Sequence, residues 1–367
     1  MKTVHVTMIV AGLALVACNQ DTTAPALDRN TAGTEAITVM TRNAYIGADV
    51  DAVIAAMTTN DFDVISAALG TAVQTLVATD LPTRARGFAD EIAQNRPDVV
   101  GFQEITQLNI HLGDLGIPVD MDIDFLPAIQ AALEARGLHY AVGGANTNID
   151  ATLFGGAIHL VDRDVVLYNQ DRVQWQTVVA KTFEYNLADE IGDIAGVELR
   201  RGYVAGTATI GDMTYMVVST HPEPDLNADT DLSGLRYAQM SEIAEVLTGA
   251  NPAIVMGDLN DVPGSSMYQV LAGAGFTDVW AALRPNQLGY TCCHLADLSD
   301  SHSDFVKRID YVFARGFDHG NRDLNGQVTI VGDQPSDRLS GPVYPIWPSD
   351  HAGVVASLFV PPAPALK

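Results

Sequence analysis

In Ala253-Ile254-Val255-Met256-Gly257-Asp258-Leu259-Asn260-Asp261, four apolar residues run unbroken into a glycine and then into carboxylate and amide side chains. An apolar run without alternation is the pattern of a strand covered on both faces. Ending such a strand in Asp258 and Asn260 has a cost, because desolvating unpartnered polar groups takes several kcal/mol each. The arrangement therefore points to something at the strand tip that uses them.

The same design recurs outward in both directions. Toward the C-terminus, Ile309-Asp310-Tyr311-Val312-Phe313 is an apolar strand carrying an early carboxylate, and Ala352 to Phe359 follows directly on Ser349-Asp350-His351. Toward the N-terminus, Tyr215-Met216-Val217-Val218-Ser219-Thr220-His221 ends in histidine, and Asp98-Val99-Val100-Gly101-Phe102-Gln103-Glu104 ends in glutamate. Val165-Val166-Leu167-Tyr168 reads as a further strand, and residues 37–43 as a first one ending in Asn43. Between the strands, apolar spacing predicts helices over 50–78, 84–95 (stopped before Pro97) and 235–248. Singly, a strand-terminal acid or a lone His is commonplace. Asn43, Glu104, His221, Asp258 with Asn260, Asp310, and Asp350 with His351 all fall at strand ends or in adjoining loops. That repetition points to one site assembled at one rim of paired sheets.

The start of the chain reads differently. Lys2 supplies a single positive charge, and Ile9 to Ala17 is apolar but for Gly12. Leu15-Val16-Ala17-Cys18 resembles the bacterial lipobox, in which cleavage before the cysteine is followed by its lipidation. The expectation is a signal peptide over 1–17 and a lipid anchor at Cys18, placing the mature chain in a bacterial cell envelope. An ordinary secretory signal with an incidental cysteine is the plainer alternative. The apolar run is too short to span a bilayer, and no other segment is expected to be long and apolar enough. Residues 18–36 are polar and without hydrophobic period, as in a flexible tether. The remaining chain, 37–362, reads as one domain without an internal repeat.

The 367 residues suffice for one large domain, and 47% hydrophobic against 18% charged residues is the balance of a folded chain. A net charge of −25 argues mildly against a basic, sequence-independent nucleic-acid surface. It does not exclude a phosphate substrate, because bound cations reverse the local field.

Cys292 and Cys293 are adjacent, so an ordinary disulfide between them would be strained. Too few ligands accompany them for a thiolate metal site, and a structural pair in a loop is the expectation. Asp120-Met121-Asp122-Ile123-Asp124 mimics the start of an EF-hand but has Phe125 and Ala131 where glycine and glutamate are needed. The run Asp225, Asn227, Asp229, Asp231 shares that defect and reads as a solvated loop, with a weak calcium site as the alternative. There is no Gly-x-Ser-x-Gly, no phosphate-binding Gly-rich loop with Lys and no His-Glu-x-x-His.

Taken together, several stretches resemble the endonuclease/exonuclease/phosphatase superfamily, the DNase I-like fold. They are 41–45, 96–104, 218–221, 256–261, 308–313 and Pro348-Ser349-Asp350-His351, in the family's order. The resemblance implies an α/β (α+β) four-layer αββα sandwich, two packed mixed β-sheets flanked by helices. It also implies a metal-dependent phosphoester hydrolase. Asn43, Glu104 and Asp350 would hold Mg²⁺, with Mn²⁺ or Ca²⁺ as alternatives. Asp258 would position or deprotonate the attacking water, and Asn260 would bind the phosphoryl group. His351, fixed by Asp310, would meet the developing charge, with His221 as a second imidazole. The usual acidic partner of His221 is not assignable, Asp162 and Asp164 being candidates. Pro222-Glu223-Pro224 departs from the family pattern, which puts the loop after His221 in doubt. Residues 105–160 and 174–200 read as long insertions that shape substrate choice. Tyr290-Thr291-Cys292-Cys293-His294 resembles a segment of some bacterial relatives, without an assigned purpose.

The expected activity is a phosphodiesterase on a phospholipid, sphingomyelin-like or small phosphodiester substrate. A DNase- or RNase-type nuclease outside the cytoplasm is the alternative. A non-catalytic envelope binding lipoprotein is the reading from another class, opposed by the complete acid and histidine set. No protein partner is indicated and a monomer is expected.

Overall fold

The computed structural model describes residues 36–113, 119–194, 196–225, 230–318 and 324–360. The expected signal peptide and nearly all of the tether, Asn227 and Asp229, and the end of the expected domain lie outside the described residues.

Strand β1 (Ala36–Asn43) shows how the layers are built, because its side chains alternate between two apolar layers. Ile37 and Val39 point into one, and Met40 into another. Helices α1 (Val50–Thr58), α2 (Phe62–Thr79) and α3 (Leu81–Asn95) follow. Pro82 sits in the first turn of α3, where a missing N–H costs nothing. Arg96 ends the helix in a left-handed conformation just before Pro97. By length and composition α2 is apolar enough to cross a membrane, contrary to expectation. Of its apolar residues Leu69 and Leu76 are buried in the core, while Phe62, Val64 and Val77 are exposed.

Next come β2 (Val99–Gln103), β3 (Gln107–His111), β4 (Asp120–Asp124), α4 (Phe125–Glu134), β5 (Tyr140–Leu153) and β6 (Ile158–Asn169). The span 105–160 is thus mostly regular structure. In β3, Leu108 and Ile110 are buried alternately with more exposed neighbours, the period of a half-covered strand. Over 174–200 stand β7 (Gln174–Thr182) and α5 (Leu187–Ile191). The chain continues through β8 (Gly202–Ile210), β9 (Met213–Thr220), α6 (Ser233–Val246), β10 (Ala253–Asp258), α7 (Ser266–Gly273), β11 (Thr277–Asp278) and α8 (Val279–Leu283). It closes with β12 (Asp310–Arg315), β13 (Gly326–Val331), β14 (Leu339–Ser340), β15 (Pro345–Ile346) and β16 (Gly353–Phe359).

Apart from the antiparallel β14–β15 pair, the strands form two mixed sheets. One is ordered β13-β16-β1-β2-β6-β3-β4, with β5 also on β6, and the other β11-β12-β10-β9-β8-β7. Ile37, Val39, Val99 and Val166 of the first meet Val217, Ile254, Met256 and Val312 of the second in the middle layer. Met40, Val100 and Phe102 pack outward on Phe88, Ile92, Phe125 and Ile129 of the helices. Ala253, Val255 and Phe313 pack outward on Met240, Ile243 and Leu271. The order of layers is therefore helix, sheet, sheet, helix, as the resemblance implies.

Glycine is required at two close approaches, one between the sheets and one between the paired strands β9 and β10. A β-carbon on Gly101 would strike the Ser219 side chain of the facing sheet, and one on Gly257 would strike the backbone carbonyl of Thr220.

Candidate active site

Strand register brings the chemistry to one rim. In the antiparallel β10–β12 pair, Asp258 lies opposite Asp310. β1 runs parallel to β2, so Asn43 and Gln103 end side by side with Glu104 next. β16 runs antiparallel to β1, with Val354 opposite Thr41, which sets Asp350 and His351 beside the end of β1. His221 directly follows β9, the parallel neighbour of β10. Glu104, Tyr45 and Asn260 all have positive φ, near 59°, 59° and 53°. Such backbone conformations are unfavourable for side-chain-bearing residues and cluster at functional positions.

Asp258 is the centre. Its Oδ2 accepts from Asn43 Nδ2 at 3.1 Å and its Oδ1 from the backbone N–H of Asn260 at 2.9 Å. The same Oδ2 lies 3.6 Å from His221 Nε2 and 3.7 Å from His351 Nδ1. Asn43 also donates to Glu104 Oε1 at 3.0 Å, and Glu104 Oε2 accepts from the backbone N–H of Ile46 at 3.1 Å. Asn260 Nδ2 donates to the carbonyl of Pro222 at 3.0 Å. All eight residues that the sequence singles out, Asn43, Glu104, His221, Asp258, Asn260, Asp310, Asp350 and His351, thus come to one rim.

The two histidines are electrically unlike. His351 Nδ1 lies 2.9 Å from Asp310 Oδ2, both side chains being buried. Burial alone would lower its pKa, but the charges of Asp310, Asp350 and Asp258 outweigh that and hold the imidazolium well above its ordinary range. Burial and the neighbouring Arg201 guanidinium push His221 the other way, down to about 3.

Of the two candidate acids for His221, Asp164 is nearer, with Oδ1 3.4 Å from Nδ1, while Asp162 accepts from Asn148 Nδ2 at 3.0 Å. The hydrogen-bond partner of Nδ1 is neither. It is Arg201, whose Nη1 lies 3.1 Å away. Sequence reasoning missed this arginine, although Arg200-Arg201 directly before a strand is conspicuous in a chain with 20 Lys and Arg in all.

The Pro222-Glu223-Pro224 loop is anchored onto the site. Glu223 is buried, its backbone N–H donates to Gln239 Oε1 at 3.0 Å, and its carbonyl accepts from Arg236 Nη1 at 3.1 Å.

Two further buried arginines hold the frame and had no signal beyond their place in helix and strand. Arg84 Nη1 donates to the carbonyls of Ala44 at 2.6 Å and Tyr45 at 3.1 Å. Arg42 pairs with Glu91 at 3.0 Å and donates to the backbone carbonyl of His351. Cys292 bridges to both Lys307 and His351, and Cys293 Sγ lies 3.9 Å from His351 Nε2. The two cysteines pair with each other in a loop, and that loop borders the site.

The donor set suits a hard cation. Burial, then the charges of Asp350 and Asp162, push the Glu104 carboxyl up to about 8. Asp350 is raised as well, first by burial. Carboxylates that raise one another's pKa beside the Asn43 amide are hard oxygen donors and fit a divalent ion of the Mg²⁺ type. Ligand atoms of Asp258, Asp310 and His351 also lie within 4.8 Å of one another, a spacing that admits a metal ion.

Two packed mixed sheets with this acid and histidine rim define a phosphoester-hydrolase architecture. The chain belongs to the Endonuclease/Exonuclease/phosphatase family, whose model matches residues 73–351. Members of that family are phosphoester hydrolases and depend on divalent metal. Among solved structures, the endonuclease/exonuclease/phosphatase from Beutenbergia cavernae DSM 12333 is 20% identical, with a TM-score of 0.56 over 90% of this chain and 73% of that one. A family protein from Bacteroides thetaiotaomicron is 17% identical, with a TM-score of 0.53 over 89% and 96%. One from Leptotrichia buccalis C-1013-b is 16% identical, with a TM-score of 0.51 over 88% and 99%. These likenesses show the fold. No curated protein matches the chain in sequence.

Proposed function

We propose that this chain is a divalent-cation-dependent phosphodiesterase that hydrolyses a phospholipid-like or small phosphodiester outside the cytoplasm. The observation that carries the reading is the convergence of Asn43, His221 and His351 on Asp258, with Asp310 behind His351.

Asn43, Glu104 and Asp350 are the residues that would hold the metal. When bound, a divalent cation polarises a phosphoryl oxygen and stabilises the leaving oxygen. Asp258 takes a proton from the attacking water, whose oxygen forms the new bond to phosphorus as the ester P–O bond breaks. Asn43 fixes the carboxylate of Asp258 for that transfer. His351, cationic on the Asp310 carboxylate, donates from Nε2 to a non-bridging phosphoryl oxygen as negative charge builds there. Asn260 spends one Nδ2 hydrogen on Pro222 and has a second for the phosphoryl group.

The preference for a lipid or small substrate over a polyanion is supported by the net charge of −25. The lipobox-like Leu15-Val16-Ala17-Cys18 supports a signal peptide over 1–17, an envelope anchor at Cys18 and a tether to residue 36, ahead of a catalytic domain over 37–362.

The test is a panel of sphingomyelin, phosphatidylcholine, inositol phosphates, plasmid DNA and RNA, each with Mg²⁺, Mn²⁺ and Ca²⁺. Head-group release from the lipids, ahead of any nicking of DNA or RNA, is expected. Turnover of nucleic acid alone would replace this reading with the nuclease one.

A further inference from the structure

We propose that Arg201 is a positioning residue that locks His221 as the neutral imidazole protonated on Nε2, so that His221 acts as a hydrogen-bond donor to the phosphoryl group and not as a proton acceptor. This rests on the phosphodiesterase reading of the site for its consequence, though not for its geometry.

A guanidinium has donors only. With Arg201 Nη1 at 3.1 Å from His221 Nδ1, the nitrogen must offer its lone pair. A hydrogen on Nδ1 would set two donors against each other. The single proton of the neutral ring is then on Nε2, the nitrogen that faces Asp258 Oδ2 at 3.6 Å.

The arginine is built in from three sides. Its Nε lies 3.4 Å from Glu223 Oε1, and Glu223 is pinned through its own backbone to Gln239 and Arg236. Its backbone N–H donates to Asn186 Oδ1. Asp162 and Asp164, from β6, contribute negative charge around it. Asp164 Oδ1, at 3.4 Å, is the acceptor that would take a proton-bearing Nδ1 if Arg201 were absent. Arg201 therefore decides between two tautomers with opposite uses. With Nδ1–H on Asp164, the bare Nε2 would be a base aimed at water or substrate. With Arg201 in place, Nε2–H is a fixed donor.

The consequence is a division of labour. His351 brings positive charge from its Asp310 side, and His221 brings a neutral dipole from the other. Asp258 between them is left as the proton acceptor for water. A second base competing with Asp258 would gain nothing, whereas a second oriented donor stabilises the charge that develops in the transition state.

Long-range ¹H–¹⁵N correlation spectra of the histidine ring nitrogens, in the full metal-free chain at neutral pH, read the tautomer directly. The His221 signals are assigned by their loss in His221→Asn. The expected result is an unprotonated Nδ1 and a protonated Nε2 in the wild type. Arg201→Met should move the proton to Nδ1, and Arg201→Lys, which keeps a donor, should retain the wild-type pattern. With bis-p-nitrophenyl phosphate, Arg201→Met should lower kcat about tenfold at nearly constant KM, the scale of one oriented hydrogen bond. A wild-type His221 protonated on Nδ1 would overturn the proposal without reference to any variant. So would an unchanged tautomer in a folded Arg201→Met protein, or a change in KM alone. If the wild type hydrolyses no phosphodiester, the functional reading fails while the tautomer still decides the role of Arg201.

Discussion

Replacing Asp310 by Asn removes the charge that holds His351 cationic while leaving an acceptor of the same shape. The bond at stake joins Asp310 Oδ2 to His351 Nδ1 at 2.9 Å, between side chains that are almost fully buried. Two unit charges with centres about 4 Å apart attract by about 4 kcal/mol at an effective dielectric of about 20. The amide oxygen of Asn recovers about 1 kcal/mol as a neutral hydrogen-bond acceptor. The difference, about 3 kcal/mol, corresponds to a fall of about 2 units in the His351 pKa. Asp350 and Asp258 remain and keep it from falling further.

The assay is a ¹H–¹³C titration of the His351 ring, with kcat measured alongside. The pKa should drop by about 2 units, and kcat at pH 8 should fall by about 10²-fold, the scale of a lost acid–base or charge-stabilising group. The stability effect has a definite sign. A histidine whose folded pKa is raised contributes stability that is fully present below about pH 6.5 and lost as pH rises through the folded value. Asp310→Asn should therefore destabilise most in mildly acidic solution, and the gap to wild type should close at high pH. A His351 pKa that moves by less than about half a unit would refute the reasoning, because the shift would then not come from the Asp310 charge.

The Glu104 carboxyl, raised to about 8, binds its proton more tightly in the folded state than in the unfolded chain. Chelator-treated protein should accordingly lose stability as pH climbs from about 4.5 to about 8, whereas Glu104→Gln should not show this component and should melt higher than wild type at pH 8. Saturating Mg²⁺ should reverse that order, because a ligand bound only by the folded state stabilises it. Identical melting profiles of the two proteins with and without metal would remove Glu104 from the metal site. Gly257→Ala forces a β-carbon against the immobile carbonyl of Thr220, so a loss of about 2–3 kcal/mol, read as a Tm fall of several degrees, is expected. A wild-type Tm in this variant would mean that the two strands can part there at no cost.

Much of the frame was legible because buried strands declare themselves as apolar runs, and the polar residue closing each run marked the rim. Asn43, Glu104, His221, Asp258, Asp310 and His351 could be placed that way, since each sits at or next to a strand terminus. The region over 105–160 was less legible. In β3 Asn109 stands between buried residues, and in β5 buried positions are themselves polar, as at Asn146, and mixed patterns of that kind resemble loop composition. Helix α2 is apolar enough by composition to cross a membrane, yet only Leu69, Leu76 and Thr79 of it are buried. What the sequence could not disclose was pairing at a distance. Arg201 meets His221, 20 positions away, only because β8 and β9 are neighbours in the sheet, and Arg42 reaches His351 across 309 positions. Contacts of that kind are set by strand order, which local pattern does not carry. The Cys292–Cys293 pair likewise took its place beside His351 through a backbone bridge that no spacing rule announces.

The central claim is that Asp258 and His351 hydrolyse a phosphodiester with the help of a divalent ion. It is tested most directly by the rate of p-nitrophenol release from bis-p-nitrophenyl phosphate, in wild type, Asp258→Ala and His351→Ala, with Mg²⁺ and with chelator. The account predicts turnover by the wild type with Mg²⁺, its loss on chelation and a fall of about 10²–10⁴-fold in each variant while both remain folded. Activity that survives chelation, or that is untouched in folded Asp258→Ala, would contradict it.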